Sequence, residues 1–155
     1  MSAIRRWLLA GLVTGITDGL FSSVLAAYFY GSTVIRLWQG VASVLLGAAA
    51  LDGGVRPAVI GVLIHLGVAF SWSAVFLVLY LSSSWIRGLL ASPYSVILVA
   101  AVYGPLIWVA MSMAIIPLFT HRPPVVNARW WIQCAGHAVF VGVPIVAIVR
   151  SFRRP

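Results

Sequence analysis

The chain contains no lysine and no glutamate; its acidic residues are Asp18 and Asp52, and its one cysteine is Cys134. Paired-carboxylate acid/base chemistry is therefore nearly excluded, and no intrachain disulfide can form. Charged residues fill 8% of the 155 positions, against roughly 25% in an ordinary soluble domain. That is too little polar surface to cover a soluble protein of this size, so a water-soluble fold is excluded as well. A glycine-rich phosphate loop, a GxSxG elbow and an HExxH motif are all missing, and nothing in the sequence points to an enzyme.

What is present is hydrocarbon: 63% of residues are apolar and the mean hydropathy is +1.09. Four apolar runs, residues 7–30, 57–81, 94–119 and 132–149, are each long enough to cross a hydrocarbon core of about 30 Å as a helix. Helices are required, because four spans cannot close a barrel and open strands would leave backbone groups unpaired in lipid. The expected fold is all-α: an integral membrane four-helix bundle, one transmembrane domain over residues 1–155. Between the first two spans, Val34, Trp38, Val41, Leu45 and Ala48 recur at helical spacing opposite Arg36, Gln39, Gly40, Ser43 and Gly47. That pattern predicts an additional amphipathic helix lying in the interface, with a fifth span over 34–51 as the alternative.

The first run begins after Arg5 and Arg6, as a signal peptide would, but it is longer than a signal core and carries Asp18 at its middle. It is read as a retained first helix. Trp7, Tyr28, Tyr30, Trp85, Tyr94, Trp130 and Trp131 mark the run ends as aromatic belts. The formal charge of +8 comes from ten arginines set singly or in pairs at those ends. They suit anionic lipid headgroups, and with no basic stripe or motif, nucleic acid is not an expected partner. Arg5, Arg6, Arg87, Arg150, Arg153 and Arg154 fall on one side and Arg36, Arg56, Arg122 and Arg129 on the other, which predicts cytoplasmic N- and C-termini.

Gly11, Gly15 and Gly19 form a side-chain-free stripe on one face of the first span, a surface on which a second helix packs closely. The second helix belongs to the same bundle, to another copy in a homo-oligomer, or to a larger membrane complex in which the chain is an accessory subunit. Pro105 and Pro144 stand inside the third and fourth spans, where each is expected to kink its helix and free a carbonyl.

Asp18 is costly at the centre of a span, by roughly 2.5–3.5 kcal/mol on insertion scales. Thr14, Gly15 and Ser22 share its face, so that face should turn into the bundle. From the end of the bundle opposite the termini, His65, His137 and Asp18 lie at depths of about 12, 8 and 18 Å at the helical rise. All three can therefore meet in one buried polar cluster with Gln133, four residues before His137, while Trp72 shares the His65 face. Such a cluster is either hydrogen-bonded glue or a site that answers to a proton or a small polar solute. Haem b held by His65 and His137 is the cofactor alternative, without any haem-specific spacing to support it. Cys134 and His137 share a face, but two ligands with no carboxylate nearby make a poor metal site, so no metal is expected.

His65 within an apolar span, then Pro123-Pro124, Trp130-Trp131, Gly136-His137-Ala138-Val139 and Arg150, resembles the YagU-like group of four-span bacterial inner-membrane proteins. The stretch Gln39-Gly40-Val41-Ala42-Ser43-Val44-Leu45-Leu46-Gly47 is similar to a segment of other small bacterial membrane proteins. The resemblance covers about two thirds of the chain through short motifs. It implies a multi-pass protein of the bacterial inner membrane and no established activity, and the first span with Asp18 departs from it.

Overall fold

A computed structural model describes residues 2–150; Met1 and the arginines Arg153 and Arg154 lie outside the described residues. Among these residues there is no strand, and six helices follow one another: α1 Ala3–Phe29, α2 Val34–Leu46, α3 Val55–Ser82, α4 Ser84–Leu89, α5 Pro93–Thr120 and α6 Ala128–Arg150. Four of them, α1, α3, α5 and α6, are long and apolar enough to cross a membrane. The chain is thus an all-α bundle of four span-length helices compatible with a multi-pass membrane protein.

The pattern of burial is inverted relative to a soluble bundle. On α1 the buried positions are Ala10, Gly11, Thr14, Gly15, Asp18 and Gly19, while Leu8, Leu12, Ile16 and Leu20 are exposed. Where the surroundings are as apolar as leucine, burying leucine gains nothing, and small residues face inward because they let backbones approach. The glycine stripe of α1 is used in this way within the chain: Gly11 lies under the Phe70 ring, Gly15 under Leu66, and Gly19 beside Trp38 and His65. On the other helices Gly61 packs on the Trp38 carbonyl, Gly104 on the His137 carbonyl and Gly142 on the Ala100 carbonyl. Each of these three carbonyl contacts leaves no space for a Cβ atom.

α2 is 13 residues long, about 20 Å at the helical rise and short of a membrane core. Thr33 caps its start by accepting the Arg36 N–H at 3.1 Å, and Gly47, at φ 75°, ends it. The helical pattern stops there, so Ala48 belongs to the 3₁₀ turn Ala48–Asp52 rather than to the stripe. Trp38, Gln39 and Ala42 are buried, with Gly61 of α3 directly beneath, and Val34, Ile35, Leu45 and Leu46 are exposed at the two ends of the helix. Gln39 donates to the Gly54 carbonyl at 2.9 Å, tying α2 to the start of α3.

The break expected between the second and third spans contains the short helix α4, opened by Ser83, whose hydroxyl accepts the Ile86 N–H. α6 begins at Ala128, earlier than apolarity predicts, because the Asn127 side chain accepts the Trp130 N–H at 3.1 Å and starts the helix. Of the aromatic belt residues, Tyr28, Trp85, Tyr94 and Trp131 are exposed. Trp7 instead turns inward and donates to the Phe70 carbonyl at 2.8 Å, and Trp130 donates to the Ser112 hydroxyl at 3.0 Å.

The two ends of the bundle differ. At the end holding the termini, Phe76, Leu77, Tyr80, Leu90, Val96, Ile145, Val146 and Val149 form a dry core. Toward the opposite end, where α2 covers the bundle, the helices part around a cavity.

Candidate functional site

The cavity has a volume of about 540 Å³ and is lined from five helices: Thr14, Asp18 and Ser22 of α1, Trp38 and Val41 of α2, His65 and Trp72 of α3, Trp108 and Met111 of α5, and Gln133, His137 and Val141 of α6, among others. This is the size of a small-molecule site. The apolar core at the terminal end closes its floor. A second hollow of about 410 Å³ adjoins it, sharing Gly40, Val44, Trp108, Ile116 and Gln133, and is lined further out by Arg122, Asn127, Arg129 and Trp130. It forms a vestibule whose charged rim is basic.

Asp18 is 6% exposed and points one carboxylate oxygen at each imidazole. Its Oδ2 stands 3.9 Å from His65 Nε2, and its Oδ1 stands 3.9 Å from His137 Nδ1. Those distances permit charge interaction but exceed a hydrogen bond. Both ring nitrogens are already committed: His65 Nε2–H donates to the Gly15 carbonyl at 3.1 Å, and His137 Nδ1–H donates to the Gln133 carbonyl at 2.8 Å. These bonds set the tautomers of the neutral rings, leaving His65 Nδ1 and His137 Nε2 as acceptors.

Each imidazole also lies against an indole. Trp38 is 5.1 Å from His65 and Trp108 is 4.8 Å from His137, centroid to centroid. The rings are tilted on one another, by 59° and 49° respectively. Local sequence explains why the rings fit: Gly15 and Gly19 leave open the face of α1 into which His65 inserts, and Gly104 lets α6 approach α5 at His137.

Several polar atoms at the cavity are buried without a hydrogen-bond partner: Asp18 Oδ1, Thr14 Oγ1, Gln133 Oε1 and Trp108 Nε1. Buried polar groups are almost always satisfied, so orphans collected at one cavity call for water or a ligand there.

The structure thus brings Asp18, His65, His137 and Gln133 to one cavity, with Trp72 on its wall. Gly11, Gly15 and Gly19 serve the packing of α1 on α3. Sequence reasoning missed Trp38 and Trp108 as parts of the site. Trp38 reads from sequence only as one apolar position among several on α2. Trp108 has no polar neighbour one turn before it, and Gly104 one turn before and Ser112 one turn after are the hints that its face is turned inward. Among the described residues no group of three or more His, Cys, Asp or Glu side chains is arranged to hold a metal ion. Compared with family models, curated proteins and solved structures, the chain matches none, so the chemistry of the site is read from its own residues.

Proposed function

We propose that the chain is a proton-responsive, transporter-like protein of the bacterial inner membrane, and that its cavity takes up a proton or a small solute at Asp18. One observation carries this reading: Asp18 Oδ1 is buried at the cavity with no donor, while the nearest imidazole nitrogens are engaged by backbone carbonyls. A carboxylate in that condition calls for a proton, an ordered water, a nearby positive charge or a ligand. Four spans put both termini on one side of the membrane, and the arginine clusters assign that side to the cytoplasm. In this reading the cavity opens away from the cytoplasm, with the apolar core at the end of the bundle that holds the termini on its cytoplasmic side.

The test is tryptophan emission of the purified full-length protein in lipid vesicles, titrated between about pH 5 and 8, where imidazole changes charge. Protonation of His65 or His137 should quench the indole packed against it. The native protein should show a transition, and Asp18→Asn should move its midpoint by about one pH unit or abolish it. Superimposable titrations would show that the carboxylate is structural glue and end the reading.

A further inference from the structure

The orphan atoms differ in kind, and the difference selects a ligand. Asp18 Oδ1 and Gln133 Oε1 accept only, the Thr14 hydroxyl accepts or donates, and among the cavity's orphans Trp108 Nε1 alone is purely a donor. The cavity wall adds the indoles of Trp38, Trp72 and Trp108. An anionic oxygen with further acceptors beside it, inside walls of indole, is complementary to a cation that donates hydrogen bonds and carries an apolar body. We propose that the cavity binds an organic ammonium, its charged head on Asp18 Oδ1 and its hydrocarbon or aromatic body against the three tryptophans. The proposal rests on the reading of Asp18 as the responsive group and names the class of solute that it takes.

The charges around the cavity fit. Asp18 is the acidic residue at its wall, and the neutral tautomers of His65 and His137 add acceptors rather than charge. Arg36 also reaches the wall, but its guanidinium donates to the Leu51 carbonyl and lies 3.5 Å from Asp52, in a pair directed away from Asp18. Arg122 and Arg129 line the vestibule and not the cavity.

Because proton and ammonium compete for one carboxylate, binding and protonation are linked. Ammonium affinity must rise as pH rises through the titration of the site, by up to about tenfold per pH unit for one proton released.

Three probes with one body separate the alternatives in the native full-length protein: phenethylammonium, the neutral 2-phenylethanol and the anion phenylacetate, each followed by quenching of tryptophan emission at about pH 7.5. Phenethylammonium should quench saturably, at least about tenfold more tightly than 2-phenylethanol, and its affinity should fall on acidification. Asp18→Asn should lose that margin, and Trp72→Leu should weaken the ammonium more than the alcohol. Equal affinity for amine and alcohol would make the cavity merely apolar and overturn the proposal, and preferred binding of phenylacetate would transfer recognition to the vestibule arginines and overturn it too. Should Asp18→Asn fail to fold, the pH dependence of the native protein decides by itself: an affinity indifferent to pH refutes competition at the carboxylate. An Asp18-dependent emission titration without ammonium binding would leave the proton reading standing and sink only this one.

Discussion

The Thr17 hydroxyl of α1 donates to the Phe140 carbonyl of α6 at 2.7 Å, four residues before Pro144. Proline has no N–H to give that carbonyl, and its ring displaces the turn. The helix answers with the π-helical turn Ala138–Gly142, directly after His137. The freed carbonyl becomes a cross-helix acceptor, which binds α1 to α6 one residue away from Asp18. Pro117 stands in the same relation to the π-helical turn Ala110–Ile115, close to Trp108. Backbone irregularity thus flanks both members of the His137–Trp108 pair, as π-turns often do at functional sites, while His65 and Trp38 lie on regular α-helix.

Thr17→Val removes this bond and keeps the shape of the side chain. We expect a loss of about 1 kcal/mol, the scale of interhelical hydrogen bonds in membranes, with Thr17→Ser close to native. Thermal unfolding in detergent measures both, and equal midpoints for Val and Ser would show that the hydroxyl does not hold the two helices.

Gly61 and Gly67 lie six residues apart on α3 and should respond oppositely to alanine. A Cβ at 61 would run into the Trp38 carbonyl, whereas one at 67 meets nothing. Gly61→Ala should cost about 2–3 kcal/mol or displace α2, and Gly67→Ala should be neutral or stabilising by up to about 1 kcal/mol through helix propensity. Like effects of the two substitutions would contradict the close packing of α2 on α3.

If Asp18 is kept for binding, stability should not suffer from its removal. An orphan carboxylate oxygen in a buried site is a liability that an amide lessens. Asp18→Asn should therefore unfold within about 0.5 kcal/mol of the native protein at neutral pH, or above it. A loss beyond about 2 kcal/mol would mean that the carboxylate's charge holds the two imidazole helices together.

Orientation is open to labelling. With Cys134 replaced by Ser, a cysteine at Val125, 69% exposed in the loop before α6, should react with a membrane-impermeant maleimide in spheroplasts. A cysteine at the exposed Ser84, at the opposite end of the bundle, should react only after lysis. The reverse pattern would place the cavity mouth in the cytoplasm.

Much of this was legible in one dimension. Runs 57–81 and 94–119 correspond to α3 Val55–Ser82 and α5 Pro93–Thr120, because a span's apolar length is a property of consecutive residues. The inward turn of Asp18 was legible too, since Thr14 and Gly15 lie one turn away and make its face the small, polar one. The start of α6 was misplaced because capping by Asn127, not apolarity, sets it. The inward rings of Trp7 and Trp130 were misread as belts, since a tryptophan at a span end looks the same whether it meets a headgroup or a carbonyl.

Sequence alone determined four membrane-length helices, a short amphipathic helix between the first two, and one acidic side chain that had to avoid lipid. Only the tertiary structure decided that each oxygen of that carboxylate faces a different imidazole, that Trp38 and Trp108 stand behind those rings, and that one end of the bundle is sealed while the other is hollow. The reason is physical: helical periodicity is local, but the rotation of one helix against another is set where backbones touch, at Gly61 on Trp38, Gly104 on His137 and Gly142 on Ala100. Those partners lie tens of residues apart, and no single segment carries the information that they meet.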